Sequence, residues 1–299
     1  MNGREAGFLL LCSHLGDPER KVLTAPQFRK LAQRMQMQEK PVQDRAIVPE
    51  DLVAIGYSRQ EAERIVSLLS GREQLEWYLQ KGNQHGCSPV TRVSEGYPVI
   101  LRKRLGLDSP GCLWAKGDTS LLQRPMIALV GSRELRQENL EFAQQVGKQA
   151  ALQGFTLVSG NAKGADRTAQ DACLANGGRV ISVVADKLAE QEADQRILYL
   201  SEEGFDLPFS PQRALSRNRV IHCLPSAVLI AQCTYGKGGT WDGTLRNLCK
   251  GWSGVFCFRD GSAAALELEQ RGAFLVGEEA LSCLSDLQAA RTLFDCDEE

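Results

Sequence analysis

Three short segments pair glycine with a cation: Gly131-Ser132-Arg133, then Ser159-Gly160-Asn161-Ala162-Lys163-Gly164-Ala165-Asp166, then Gly236-Lys237-Gly238-Gly239-Thr240. Glycine lets main-chain N–H groups approach a ligand closely. A helix N-terminus adds unpaired N–H donors and partial positive charge, and lysine or arginine adds a full charge. One such segment is ordinary turn chemistry. Three of them, each between a strand and a helix, read as a phosphate cradle. None contains Gly-x-Gly-x-x-Gly or Gly-x-x-x-x-Gly-Lys-Ser/Thr, so neither a dinucleotide fingerprint nor an ATPase P-loop is predicted.

The elements that must position these segments show as alternating patterns. The continuous apolar run at 127–130 predicts a strand buried on both faces, and 156–158, 180–184, 227–230 and 255–258 read as further strands. Helices are predicted over 138–152, 165–175, 212–224 and 240–250. The alternation predicts an α/β fold, a Rossmann-like doubly wound and mostly parallel sheet that takes ligands beyond the carboxyl ends of its strands. The polar stretch 186–210 fits no element. Residues 1–88 read as a small helical domain of the SAM or helix-hairpin-helix kind. They hold a candidate helix over 26–37 and a capping box, Ser58 to Glu61, ahead of a stripe formed by Ala62, Ile65, Val66, Leu68 and Leu69. Residues 89–285 form the Rossmann-like domain, which opens with a connector of short strands, and 286–299 form an acidic tail. A fragment starting at residue 89 is expected to fold by itself.

A net charge of −2 over 299 residues excludes a generic polycation. The balance is +4 over residues 1–125, +1 over 126–260 and −7 over 261–299, so a nucleic-acid site has to be a local basic patch. Ten scattered cysteines without a Cys-x-x-Cys pair, and three distant histidines, predict reduced thiols used as small core residues and no metal site. No apolar stretch is long enough to span a bilayer, and the run at 8–12 is too short for a signal peptide, so a cytoplasmic protein without membrane attachment is expected.

The order Tyr97-Pro98, Lys116-Gly117-Asp118, Val130-Gly131-Ser132-Arg133, Ser159-Gly160-x-Ala162-Lys163-Gly164-x-Asp166, Ser201-Glu202 and Arg217-Asn218-Arg219-Val220-Ile221 resembles the DprA/Smf (DNA-processing protein A) family over residues 97 to about 258. The resemblance implies cooperative binding of single-stranded DNA and its delivery to a RecA-type recombinase, with no cofactor and no catalytic activity. A homodimer is a further expected partner state. It also implies that Arg133 and Lys163 contact phosphate and that Arg217 and Arg219 line the same groove. The expected site is thus Gly131, Ser132, Arg133, Ser159, Gly160, Lys163, Gly164, Arg217, Asn218, Arg219, Lys237, Gly238 and Gly239. The chain departs from the family pattern at Lys163 (Arg), at Ala165 (Ile) and over 237–241 (a Ser-Gly-rich segment). Only 16 residues follow Cys283, too few for the winged helix that many members carry, so a diverged branch of the family is expected, with the pathway (transformation, recombination or phage defence) left open.

Other residues have two readings each. Asp166 orients a ligand hydroxyl or caps a helix. Asn218 binds ligand or holds a turn. Trp241 stacks a base or joins the core. Glu202 is a general base or, preferably, a solvated charge beside Glu203, and His222 is preferably a packed histidine. The rival to DNA binding is a nucleotide sensor or hydrolase like the LOG phosphoribohydrolases, acting for example in phage defence. Its loop is echoed by Gly238-Gly239-Thr240, and its carboxylate would be Glu202 or Asp242.

Overall fold

The structure, a computed structural model, describes residues 1–37 and 45–289. The chain begins with five helices, α1 (Gly3–Cys12), α2 (Ala25–Gln36), α3 (Pro49–Ala54), α4 (Arg59–Leu69) and α5 (Arg72–Gln84). Ser58 and Glu61 form the expected reciprocal cap at α4. The remaining elements are β1 (Cys87–Thr91), α6 (Val99–Leu105), β2 (Cys112–Lys116), β3 (Met126–Val130), α7 (Gln137–Leu152), β4 (Thr156–Ser159), α8 (Ala165–Ala175) and β5 (Arg179–Val183). They continue with β6 (Ile197–Glu202), α9 (Pro211–Cys223), β7 (Ala227–Ile230), α10 (Gly238–Lys250), β8 (Gly254–Phe258), α11 (Ala263–Gln270), β9 (Phe274–Val276) and α12 (Leu284–Ala289). The acidic stretch therefore starts inside a helix, and the rest of it lies outside the described residues.

All nine strands form one sheet in the order β1-β2-β6-β5-β4-β3-β7-β8-β9. The β1–β2 and β2–β6 pairs are antiparallel and the others parallel. From β3 the chain steps outward through β4, β5 and β6, then returns to the other side of β3 at β7. The winding direction thus reverses between β3 and β7, where Val130 and Ile230 lie side by side at the strand ends. The sheet is the expected doubly wound α/β arrangement. The strand β6, absent from the sequence reading, is fully buried despite its polar flanks.

Two cores cover the two faces of the sheet, and a third, smaller cluster around Leu31, Leu52 and Ile65 lies among the N-terminal helices. The helical module is not closed on itself. Leu9 and Leu10 of α1, with Leu75 and Tyr78 of α5, sit in the same core as Trp114 and Phe205 of the sheet side. Tyr78 packs edge-on against Trp114 with ring centroids 5.2 Å apart, and its hydroxyl donates to Asp206 at 2.9 Å. Cutting at residue 89 would expose these apolar groups to water, at about 1.5–3 kcal/mol for each large side chain. Helices α7 and α8 cross closely because Gly147 has no side chain: a Cβ there would lie 2.1 Å from the Ala169 carbonyl oxygen.

Candidate functional site

Where the winding reverses, the strand ends leave an open cleft of about 1010 Å³. Ligands of doubly wound sheets bind at such a switch point because the two loops diverge there. The first loop follows β3. The Ser132 N–H and hydroxyl both donate to the Gln232 carbonyl, at 2.9 and 3.2 Å, which ties the first loop to the β7 loop. The Thr240 hydroxyl donates to the Gly131 carbonyl at 3.0 Å. Arg133 is left exposed on the cleft wall. Arg136 also lines the cleft, but its guanidinium is held by Asp260.

The second loop is folded against the first. The Ala165 N–H at the start of α8 donates to the Ser132 carbonyl at 3.1 Å. Gly164, at φ +88°, makes this approach possible, since a Cβ there would meet the Arg133 carbonyl oxygen at 2.4 Å. The N-terminus of α8 is therefore turned onto protein. Ser159 is buried, its hydroxyl paired with the Gln170 amide. Lys163 is exposed and stands outside the residues lining the cleft. Asp166 accepts from the N–H groups of Gly160 and Ala162, at 3.1 and 3.3 Å, so it holds its own loop. Burial pushes its carboxyl above the usual range, against the opposing charge of Arg217 and those two amides.

Helix α9 forms the floor. Arg217 is buried, and it donates to the Gly160 carbonyl at 2.8 Å and to Asn218 at 3.1 Å, while its Nε has no partner among the described residues. A Cβ on Gly160 would collide with this guanidinium, 1.9 Å from Nη1. The Asn218 amide donates to the Gly239 carbonyl at 3.1 Å, which ties α9 to the third loop. Arg219 does not share this groove. Two positions along a helix turn a side chain to the far face, and Arg219 there pairs with Glu202 at 3.2 Å. Glu202 is buried and also accepts from the Ser216 hydroxyl at 2.8 Å. The solvated reading of Glu202 is therefore corrected: its charge is matched by Arg219 instead of by water. Asp242 lies in a separate recess beside Arg219 and Arg246.

The third loop brings Lys237, Gly238 and Gly239 to the cleft. Lys237 is the N-cap of α10 and Arg136 that of α7, and neither helix has a side-chain cap. First-turn N–H groups left without such a cap are available to an anion. The other readings resolve in packing. Trp241 is buried, with its ring 5.1 Å from that of Tyr235. His222 is buried beside Asn247, and burial lowers its pKa to about 4, with the Arg217 charge acting in the same direction. Among the described residues no His/Cys/Asp/Glu cluster is arranged to hold a metal ion, and no helix is long and apolar enough to cross a membrane.

A doubly wound sheet whose winding reverses beside a glycine-walled, cation-bearing cleft defines a Rossmann-like α/β protein. The family described as DNA recombination-mediator protein A matches residues 88–246, just over half of the chain. The chain belongs to that family. It is 32% identical over 148 residues to DNA processing protein DprA of Streptococcus pneumoniae, covering 44% of this chain and 50% of that protein. It is 28% identical over 196 residues to protein Smf of Escherichia coli, covering 61% and 51%. The chain thus spans about half the length of the curated relatives it matches. The crystal structure of DprA from S. pneumoniae superposes with a TM-score of 0.69 at 24% identity, over 88% of this chain and 94% of that one. A structure of DNA processing protein A from Helicobacter pylori, described for its single-stranded DNA binding mode, gives 0.56 at 23% identity, over 67% and 96%.

Proposed function

We propose that this chain binds single-stranded DNA along the switch-point cleft and presents it, in the cytoplasm, to a RecA-type recombinase. The carrying observation is the composition of the cleft. Exposed Arg133 and Lys237 face it together with the N-termini of α7 and α10, neither closed by a side-chain cap. That is more anion-binding capacity than one phosphate ester uses, and it suits successive phosphates of a strand. The single-strand preference is supported by the binding described for the H. pylori protein. Delivery to a recombinase is supported by the family to which the chain belongs. The nucleotide-hydrolase reading is less well served, because Glu202 and Asp242, the carboxylates it calls on, line other recesses.

Fluorescence anisotropy with a labelled oligonucleotide, single-stranded or annealed to its complement, tests the proposal. Tighter binding of the single strand at equal salt is expected. Equal or tighter binding of the duplex would refute it.

A further inference from the structure

A second cavity, of about 460 Å³, lies between the N-terminal helices and the connector after β1, away from the switch point. Its walls are apolar. Phe8 of α1 and Phe28 of α2 meet edge to face there, with ring centroids 4.9 Å apart, and Leu23 and Leu107 extend the surface. Its ionisable lining is one-sided: Arg29, Arg92 and Arg102 face it, and no acidic residue does among the described residues. Arg92 is oriented by its donation to the Gly106 carbonyl at 2.7 Å. Arg29 and Arg102 have no hydrogen-bond or ion-pair partner among the described residues. The remaining titratable group, the Cys12 thiol, is pushed up to about 12 by burial and stays neutral. Three cations around one apolar recess give it a positive potential that favours an anion over a neutral or cationic ligand.

We infer that this cavity is a binding site for a small organic anion with an apolar body, a medium-chain or aromatic carboxylate, whose body lies against Phe8 and Phe28 while its anionic group meets Arg29, Arg92 and Arg102. A nucleotide fits less well, because the walls offer a base edge no hydrogen-bonding side chain apart from the arginines, and buried polar atoms left unpaired are costly. Such a ligand would join α1 and α2 to the connector, so its binding would stiffen the junction between the helices and the sheet. The site does not depend on what the switch-point cleft binds.

The probe is 8-anilinonaphthalene-1-sulfonate, titrated into the folded full-length chain and followed by fluorescence. A saturable signal is expected, displaced by octanoate but not by octan-1-ol or deoxyadenosine monophosphate at the same concentration. Arg29→Ala and Arg102→Ala should each weaken probe binding by about tenfold, as the loss of a charge-assisted hydrogen bond does. Ala32→Leu fills the cavity without changing charge, and should abolish the signal while the thermal midpoint stays within about 2 °C of the parent. Four results would overturn the inference: no saturable signal, displacement by octan-1-ol as effective as by octanoate, displacement by the nucleotide alone, or a signal indifferent to all three substitutions.

Discussion

Removing the two available cations of the switch-point cleft is the perturbation whose size the structure fixes best. Four cationic side chains line the cleft among the described residues, Arg133, Arg136, Arg217 and Lys237, alongside the acidic Glu134 and Asp166. Arg136 is paired with Asp260 and Glu138, and Arg217 is buried and bonded to the Gly160 carbonyl. Arg133 and Lys237 are thus the two left to meet phosphate. Each phosphate neutralised on a single strand contributes about −0.7 to the slope of log affinity against log salt. The double variant Arg133→Ala/Lys237→Ala should therefore flatten that slope by about 1.4. Between about 50 and about 200 mM salt, the parent should lose roughly sevenfold more affinity than the double variant does. Anisotropy titrations on a labelled oligothymidylate measure both slopes, and a mixed-sequence strand should give the same difference, because phosphates carry no base identity. Lys163→Ala, outside the cleft lining, should leave the slope at the parent value. A double variant with the parent's slope and affinity would refute the cleft as the DNA track. So would a Lys163→Ala effect as large as that of the double variant.

Two further outcomes concern the scaffold of the site. Gly164→Ala should destabilise the fold by about 3 kcal/mol in urea unfolding, since it combines an unfavourable backbone angle with collision against the first loop. Gly177→Ala, at φ +75° but in open space, should cost only about 1 kcal/mol, and equal losses in the two variants would show that the contact with the first loop is not tight. Burial holds the pKa of His222 at about 4, below its unfolded value of 6.5. The unfolded chain therefore takes up a proton first as the pH falls. The resulting stabilisation is full above pH 6.5 and is lost on descending towards pH 4, by about 3 kcal/mol. Unfolding free energies of the parent and His222→Gln over this window should converge as the pH falls, and parallel curves would contradict the assignment.

Much of the architecture is contained in local sequence. Five mainly apolar segments of strand length, separated by helical stretches with caps and glycine stops, leave a doubly wound parallel sheet as the arrangement that buries them all. The glycine-and-cation segments fall at strand–helix junctions for the same reason, and the ordered motifs from Tyr97 to Ile221 carry the family resemblance. The strand β6 escaped this reading because its apolar core, Ile197 to Leu200, is hemmed by charged residues, and its burial depends on the partners β2 and β5.

Tertiary structure decided which of the site residues face the ligand. Arg217 and Arg219 look equivalent in sequence, but helical geometry turns one into the cleft floor and the other onto Glu202. Lys163 and Lys237 both sit beside glycines, but the start of α8 is closed by the Ser132 carbonyl, whereas α10 opens to the cleft. The partition of the helical module was equally hidden, because α1 holds its apolar residues in one short run. Only packing reveals that Leu9 and Leu10 serve the sheet while Leu11 serves the helices. A sequence records how much apolar surface and charge each segment carries. Which groups satisfy one another, and which are left over for a ligand, is settled only when distant segments meet.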